Sequence, residues 1–206
     1  AKETQKYIAN GREVRVIPYG VDLARFPYLE RTPAADGTIT IGCVKRLEVV
    51  YGQTHLLDAF AVVSKELPSA RLLLVGDGTA KGDLQKQADR LGIGPVVEWA
   101  GAVPHEGVPE VLRRMDLFAM PSLGESFGVA AVEAGATGLP VVASKVGGVG
   151  EVVADGETGL LVPPGEPKPL AEAILHLARD PSLRQRMGKS ARARVERFYE
   201  WESNVE

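Results

Sequence analysis

The sequence predicts an α/β domain: one doubly wound parallel sheet with helices on both faces, taking in residues 1–206. Three observations carry this expectation. Apolar runs of strand length recur without polar alternation, so both faces of each strand are expected to be buried. Segments with apolar residues at helical spacing lie between them. Aromatics are only 6% of residues while glycine (23) and proline (14) are frequent, which suits many tight strand-to-helix turns better than an aromatic-rich β-sandwich.

In chain order, residues 1–13 read as the end of an upstream region or linker, and VRVIP (14–18) as the first strand. RTPAADG (31–37) reads as a surface loop. TITIGCV (38–44) is a strand, and GQTHLLDAFAVVSKEL follows as a helix with Leu56, Leu57, Phe60, Val63 and Leu67 at helical spacing, stopped by Pro68. ARLLLVG (70–76) leads to the helix GDLQKQADRLG, whose last glycine suits a C-cap. VVEWAG (96–101) precedes the helix EGVPEVLRRM, and DLFAMPS (116–122) precedes FGVAAVEAGATG. PVVAS (140–144) and GLLVP (159–163) complete the strands, with PKPLAEAILHLARD as the next helix. The last helix, covering 182–206, carries the stripe Leu183, Met187, Ala191, Val195 and Phe198. Its arginines, Arg184, Arg186, Arg192, Arg194 and Arg197, read as a solvated face, with an anionic membrane surface as the alternative.

A net charge of −3 gives no long-range attraction to nucleic acid. The single cysteine, Cys43, excludes an internal disulfide and a cysteine metal cluster, and reads as a small core residue in a reducing compartment. No apolar run approaches the roughly 20 residues that span a bilayer, and the start AKETQKYIANGREV is too polar for a secretory signal. The expectation is a soluble, cytoplasmic protein, with peripheral contact at the inner membrane face as the alternative. His55, His105 and His176 lack metal-ligand spacing, and no GxSxG elbow is present. GDGTAKG (76–82) reads as a tight turn on an interior unit and not as a dinucleotide fingerprint.

The segment GESFGVAAVEAGATGLPVVAS (124–144) carries the chemistry. A helix is expected to start near Ser126 or Phe127 with Ser126 as its cap, just beyond the carboxyl end of a strand, where open α/β sheets bind ligands. First-turn amides from Phe127 to Val129 and the helix dipole favour an anion there. Gly128, without a β-carbon, admits close approach to the backbone. A carboxylate repels phosphate but accepts protons from sugar hydroxyls. Glu125 before the helix and Glu133 on its second turn therefore suit a ligand with a diphosphate in the middle and a sugar ring at each end. Composition alone reads the two as a loop acid and a helix-surface acid.

ESFGVAAVEAGATGLPVVAS resembles the E-x7-E signature of the retaining family 4 glycosyltransferases, whose C-terminal half is the Rossmann-like, nucleotide-sugar-binding domain of the two-domain GT-B fold. VIPYGVDLARF, IGCVKRLEVVYGQTHLLDAFA, LLLVGDG, EWAGAVPHEGVPEVLRRMDLFAMPS and SKVGGVGEVVADGETGLLVPPGEP match in order, so the resemblance covers nearly all of the chain. It implies that Glu125 contacts the donor sugar and Glu133 the nucleotide ribose. Ser126, Phe127, Gly128 and Val129 would hold the sugar and distal phosphate, Arg46 would neutralise the diphosphate facing those amides, and the loop from Gly101 to Val103 would hold the base. It also implies no metal or cofactor, a nucleotide diphosphate sugar as donor, and an N-terminal acceptor-binding domain elsewhere in the parent chain. The sequence departs from the pattern where Val49, Val50 and Tyr51 stand in place of a lysine that completes the cationic clamp, with Lys45 expected to point away. Tyr19 stands where asparagine is common and Gly150 where proline is common. A nucleotide-sugar epimerase or a binding module derived from a transferase half would share this fold.

Overall fold

Six parallel strands form one sheet in the order β3-β2-β1-β4-β5-β6, in a computed structural model that describes residues 19–201. The strands are β1 (Ile39–Val44), β2 (Ala70–Val75), β3 (Val97–Gly101), β4 (Leu117–Met120), β5 (Val141–Ser144) and β6 (Gly159–Val162). The helices are α1 (Gln53–Glu66), α2 (Lys81–Arg90), α3 (Val108–Arg113), α4 (Val129–Ala136), α5 (Val149–Val152), α6 (Pro167–Arg179) and α7 (Pro181–Phe198). The expected strand over 14–18, the start over 1–13 and the last residues of the expected 182–206 helix lie outside the described residues. The expected fold class is observed; the four-residue α5 is an addition to the elements read from sequence.

The absence of polar alternation has the anticipated cause. Successive strand side chains point to opposite faces. Ile39, Ile41, Cys43, Leu72, Leu74, Leu117, Ala119 and Val142 enter one apolar cluster with α1, α2 and α6. Leu73, Val75, Phe118, Met120, Val141 and Ala143 enter a second cluster with α3, α4, α5 and α7. Leu56, Leu57, Phe60 and Val63 of α1 are fully buried, each stabilising the fold by about 1.5–3 kcal/mol. Cys43 is buried, and burial pushes its thiol up to about 12.

One surface expectation holds and one is corrected. Residues 32–37 are exposed, as a surface loop should be, while Arg31 at its head is half-buried: its guanidinium donates to the carbonyls of Met115 (2.8 Å) and Thr137 (2.7 Å), and burial pushes its pKa down to about 10. The arginines of α7 do not form one solvated face. Arg184 donates to the carbonyls of Leu177 and Ala178, Arg192 to those of Phe26 and Ala136, and Arg194 to those of Val152 and Glu151. These guanidiniums bond the last helix to the carbonyl ends of neighbouring segments, a use of the rigid five-donor fork that helical periodicity does not display. Asp180 caps α7 by accepting from the Leu183 amide at 2.8 Å, ahead of Pro181 at the first helical position. Among the described residues no helix is long and apolar enough to cross a membrane.

Candidate functional site

Strands β1, β2 and β3 run outward in one direction across the sheet and β4, β5 and β6 in the other, so the order reverses between β1 and β4. Crevices at such switch points, beyond the carboxyl ends of the strands, are where open α/β sheets bind ligands. Two turns meet there: 45–52 after β1 and 121–128 after β4. They are joined by backbone, with the Leu123 amide donating to the Val50 carbonyl at 2.8 Å. Gly52, at φ 68, lies so close to the second turn that a β-carbon on it would stand 2.0 Å from the Pro121 carbonyl oxygen.

The second turn ends at Gly128, whose left-handed φ of 98 places it as the residue preceding α4. The helix therefore starts at Val129, later than expected, and Ser126 does not cap it. The Ser126 carbonyl accepts from the Gly148 amide at 3.1 Å instead. Among the described residues nothing accepts from the N–H groups of Phe127, Gly128 or Val129, which with the helix dipole leaves an anion-favouring terminus. The turn after β5 presses against this loop. A β-carbon on Gly147, at φ 48, would stand 1.8 Å from the Glu125 carbonyl oxygen, and one on Gly148 would stand 2.7 Å from that of Ser126.

Glu125 reaches across the switch point. Its Oε2 lies 2.5 Å from Lys45 Nζ, and the two side chains are only 9% and 17% exposed. The ammonium also sits 4.7 Å from the centroid of the Tyr51 ring, a cation–π arrangement. The expectation that Lys45 points away is thus corrected. Arg46 is the residue that turns outward: its side chain is 75% exposed and 3.4 Å from Glu48 Oε1, not against the amides of 127–129. Glu48 is itself bound by the amide and hydroxyl of Thr79.

Glu133 lies one turn into α4, only 7% exposed on a helix whose other buried residues are apolar or glycine. Burial pushes its pKa above the ordinary 4.5, opposed by His105, Lys45 and Arg25. His105 Nε2 lies 2.8 Å from Oε1, and an ionised carboxylate can only accept in this contact. Both residues line a cavity of about 540 Å³ closed on its other side by the segment 19–26, including Tyr19 and Arg25. Val103, two residues from His105, packs against the same apolar cluster as Phe127. His105, just beyond the Gly101–Val103 loop, thus meets Glu133, a contact that metal-ligand spacing gave no reason to single out.

The first two glycines of GDGTAKG have a packing role. β-Carbons on Gly76 and Gly78 would stand 1.9 Å from the Lys45 carbonyl oxygen and 2.3 Å from that of Leu47, so they let the turn carrying Lys45 lie across β2. Glu98 does not face this turn; it pairs with Arg114 at 2.5 Å.

Comparison with known proteins gives one family. The model for glycosyl transferases group 1 matches residues 27–194. D-inositol 3-phosphate glycosyltransferase from Segniliparus rotundus is 35% identical, over 98% of this chain and 47% of its own length. Glycogen synthase from Mycobacterium tuberculosis is 33% identical, over 93% of this chain and 46% of its own length. The chain thus spans about half the length of the curated relatives it matches. Among solved structures, Anabaena Alr3699/HepE in complex with UDP and glucose superposes with a TM-score of 0.82 at 28% identity, covering 92% of this chain and 54% of that one. Sucrose-phosphate synthase from Thermosynechococcus elongatus gives 0.84 at 30% identity, covering 99% and 53%. The matched segment contains both joined turns, the glutamates on either side of the α4 terminus and the sheet reversal between them, and the chain belongs to the group 1 glycosyltransferases.

Proposed function

We propose that this chain is the donor-binding half of a retaining transferase that moves a hexosyl group from a nucleotide diphosphate sugar to an acceptor hydroxyl. One observation carries the reading: three amides that nothing among the described residues accepts from open α4 at the switch point, with one acidic side chain before them and another a turn beyond. The solved relative HepE, described in complex with UDP and with UDP-glucose, supports the same ligand class here.

In this reading Phe127, Gly128 and Val129 present their N–H groups to the distal phosphate and the sugar. Ser126 is exposed at the mouth, within reach of the same group. Glu125 orients the hexose by accepting from its hydroxyls, Glu133 accepts from the ribose diol, and the loop at Val103 lies along the base. Charge that accumulates on the departing diphosphate is stabilised by the helix terminus and by Arg46, so catalysis is electrostatic. Arg46 reaches the ligand by leaving Glu48. Its exposure makes that exchange easy, since solvent-exposed ion pairs contribute little to stability, and Thr79 continues to satisfy Glu48. The acceptor site belongs to the N-terminal half of the parent protein, in keeping with a chain that covers 47% of its relative.

Calorimetry with UDP-, GDP- and ADP-sugars tests the assignment. The 206-residue chain is expected to bind one of these donors and to transfer nothing without the acceptor half. Arg46→Ala is expected to weaken binding of the corresponding diphosphate by about 1.5–3 kcal/mol, the range for a charge-assisted contact. Failure to bind any nucleotide sugar would contradict the assignment, and unchanged affinity in Arg46→Ala would remove Arg46 from it.

A further inference from the structure

We propose that Lys45 is a second diphosphate-binding cation of this site, held in reserve on Glu125 and delivered to the donor when sugar hydroxyls take over that carboxylate. The inference rests on the donor site proposed above.

Three features separate Lys45 from an ordinary surface ion pair. Its position is fixed by the fold: the Lys45 amide donates to the Val75 carbonyl at 2.9 Å, which holds the residue at the end of β1, directly across the switch point from the β4 turn. Its ammonium is enclosed, with Glu125 on one side and the Tyr51 ring on another, where charge interactions are screened far less than in bulk water. Its charge also acts on Glu133, the other carboxylate of the site, so it lies within electrostatic range of both ends of the proposed ligand. Arg46, the neighbouring cation, is turned outward onto Glu48.

The arrangement is consistent with a site that binds a dianion between two carboxylates. Lys45 offsets the repulsion that Glu125 would exert on an approaching diphosphate. Sugar hydroxyls then donate to Glu125, and the freed ammonium, carrying three donors on a flexible stem, turns to a phosphate oxygen. Tyr51 supports the ammonium without competing for it, because an aromatic face attracts a cation but gives it no hydrogen-bond acceptor of comparable strength.

Glu125→Gln serves as the background, so that removing the lysine does not leave an enclosed carboxylate unpaired. Whichever of UDP, GDP and ADP binds the wild-type chain most tightly is measured by calorimetry beside its monophosphate. Adding Lys45→Met to Glu125→Gln is expected to lower the preference for diphosphate over monophosphate about tenfold and to flatten the salt dependence of diphosphate binding. Adding Tyr51→Lys as well, which places an ammonium from the opposite side of the same space, is expected to restore both. An unchanged preference, or equal weakening of both nucleotides, would overturn the role of Lys45 while leaving the donor site standing. If the wild-type chain binds none of the three diphosphates, both readings fall.

Discussion

Gly147→Ala is expected to weaken donor-nucleotide binding at least a hundredfold and to lower thermal stability as well. The added methyl would stand 1.8 Å from the Glu125 carbonyl oxygen, an overlap with backbone that no side-chain rotation relieves. Strain at φ 48 adds about 1–2 kcal/mol for a residue with a β-carbon, and overpacking typically costs about 1–3 kcal/mol more. The clash relaxes only if one turn moves off the other. Displacing 124–128 carries Glu125 and the amides of 127–129 with it, and losing two hydrogen bonds to a charged ligand, at about 1.5–3 kcal/mol each, is enough to cost roughly a hundredfold or more in affinity. Gly156→Ala is the control. It imposes similar backbone strain at φ 75, but a β-carbon there meets nothing within 4 Å, so stability is expected to fall while binding is retained. Equal loss of binding in both variants would show that the contact between the two turns does not shape the site.

Glu133→Gln is expected to move stability and affinity in opposite directions. The carboxylate is desolvated on an otherwise apolar stretch of α4, and burial raises its pKa in the folded chain above the unfolded value near 4.5. A raised acid releases its proton more readily when unfolded, so stability declines as pH rises from about 4.5 through the folded pKa and stays lower above it. The amide carries no such penalty and can still accept from His105. The variant is therefore expected to melt at a higher temperature than wild type at pH 7, with the difference closing as pH falls below 4.5. Its affinity for the donor nucleotide is expected to drop about tenfold or more, because an amide offers one acceptor oxygen where the carboxylate offers two charged ones. Melting curves at pH 7 and pH 4 with calorimetry at pH 7 check both halves. Unchanged affinity would leave Glu133 as a merely tolerated buried acid.

The fold was legible in the sequence because each strand buries alternate residues in two apolar layers, so continuous apolar runs such as ARLLLVG report a two-sided sheet directly. Glu125 and Glu133 were singled out by the E-x7-E resemblance, because composition alone reads them as a loop acid and a helix-surface acid. Which cation enters the crevice was not legible. Neighbouring residues at a strand end point to opposite sides, and whether Lys45 or Arg46 faces inward depends on where the 3-10 turn Val49–Tyr51 sets the chain, which depends in turn on the contact of Val50 with Leu123. His105 was dismissed because its partner is 28 residues away on another element. Ser126 looked like a cap because the left-handed turn at Gly128, which delays the helix, is a backbone property that local composition permits without requiring.

Backbone amide NMR of the 206-residue chain, titrated with the tightest-binding nucleotide diphosphate sugar, reads out which amides meet the ligand. The resonances of Phe127, Gly128 and Val129 are expected to shift most, together with those of the 45–52 turn and of Glu133. Saturable binding that leaves these three amides unmoved and shifts residues elsewhere on the sheet would contradict the proposed donor site.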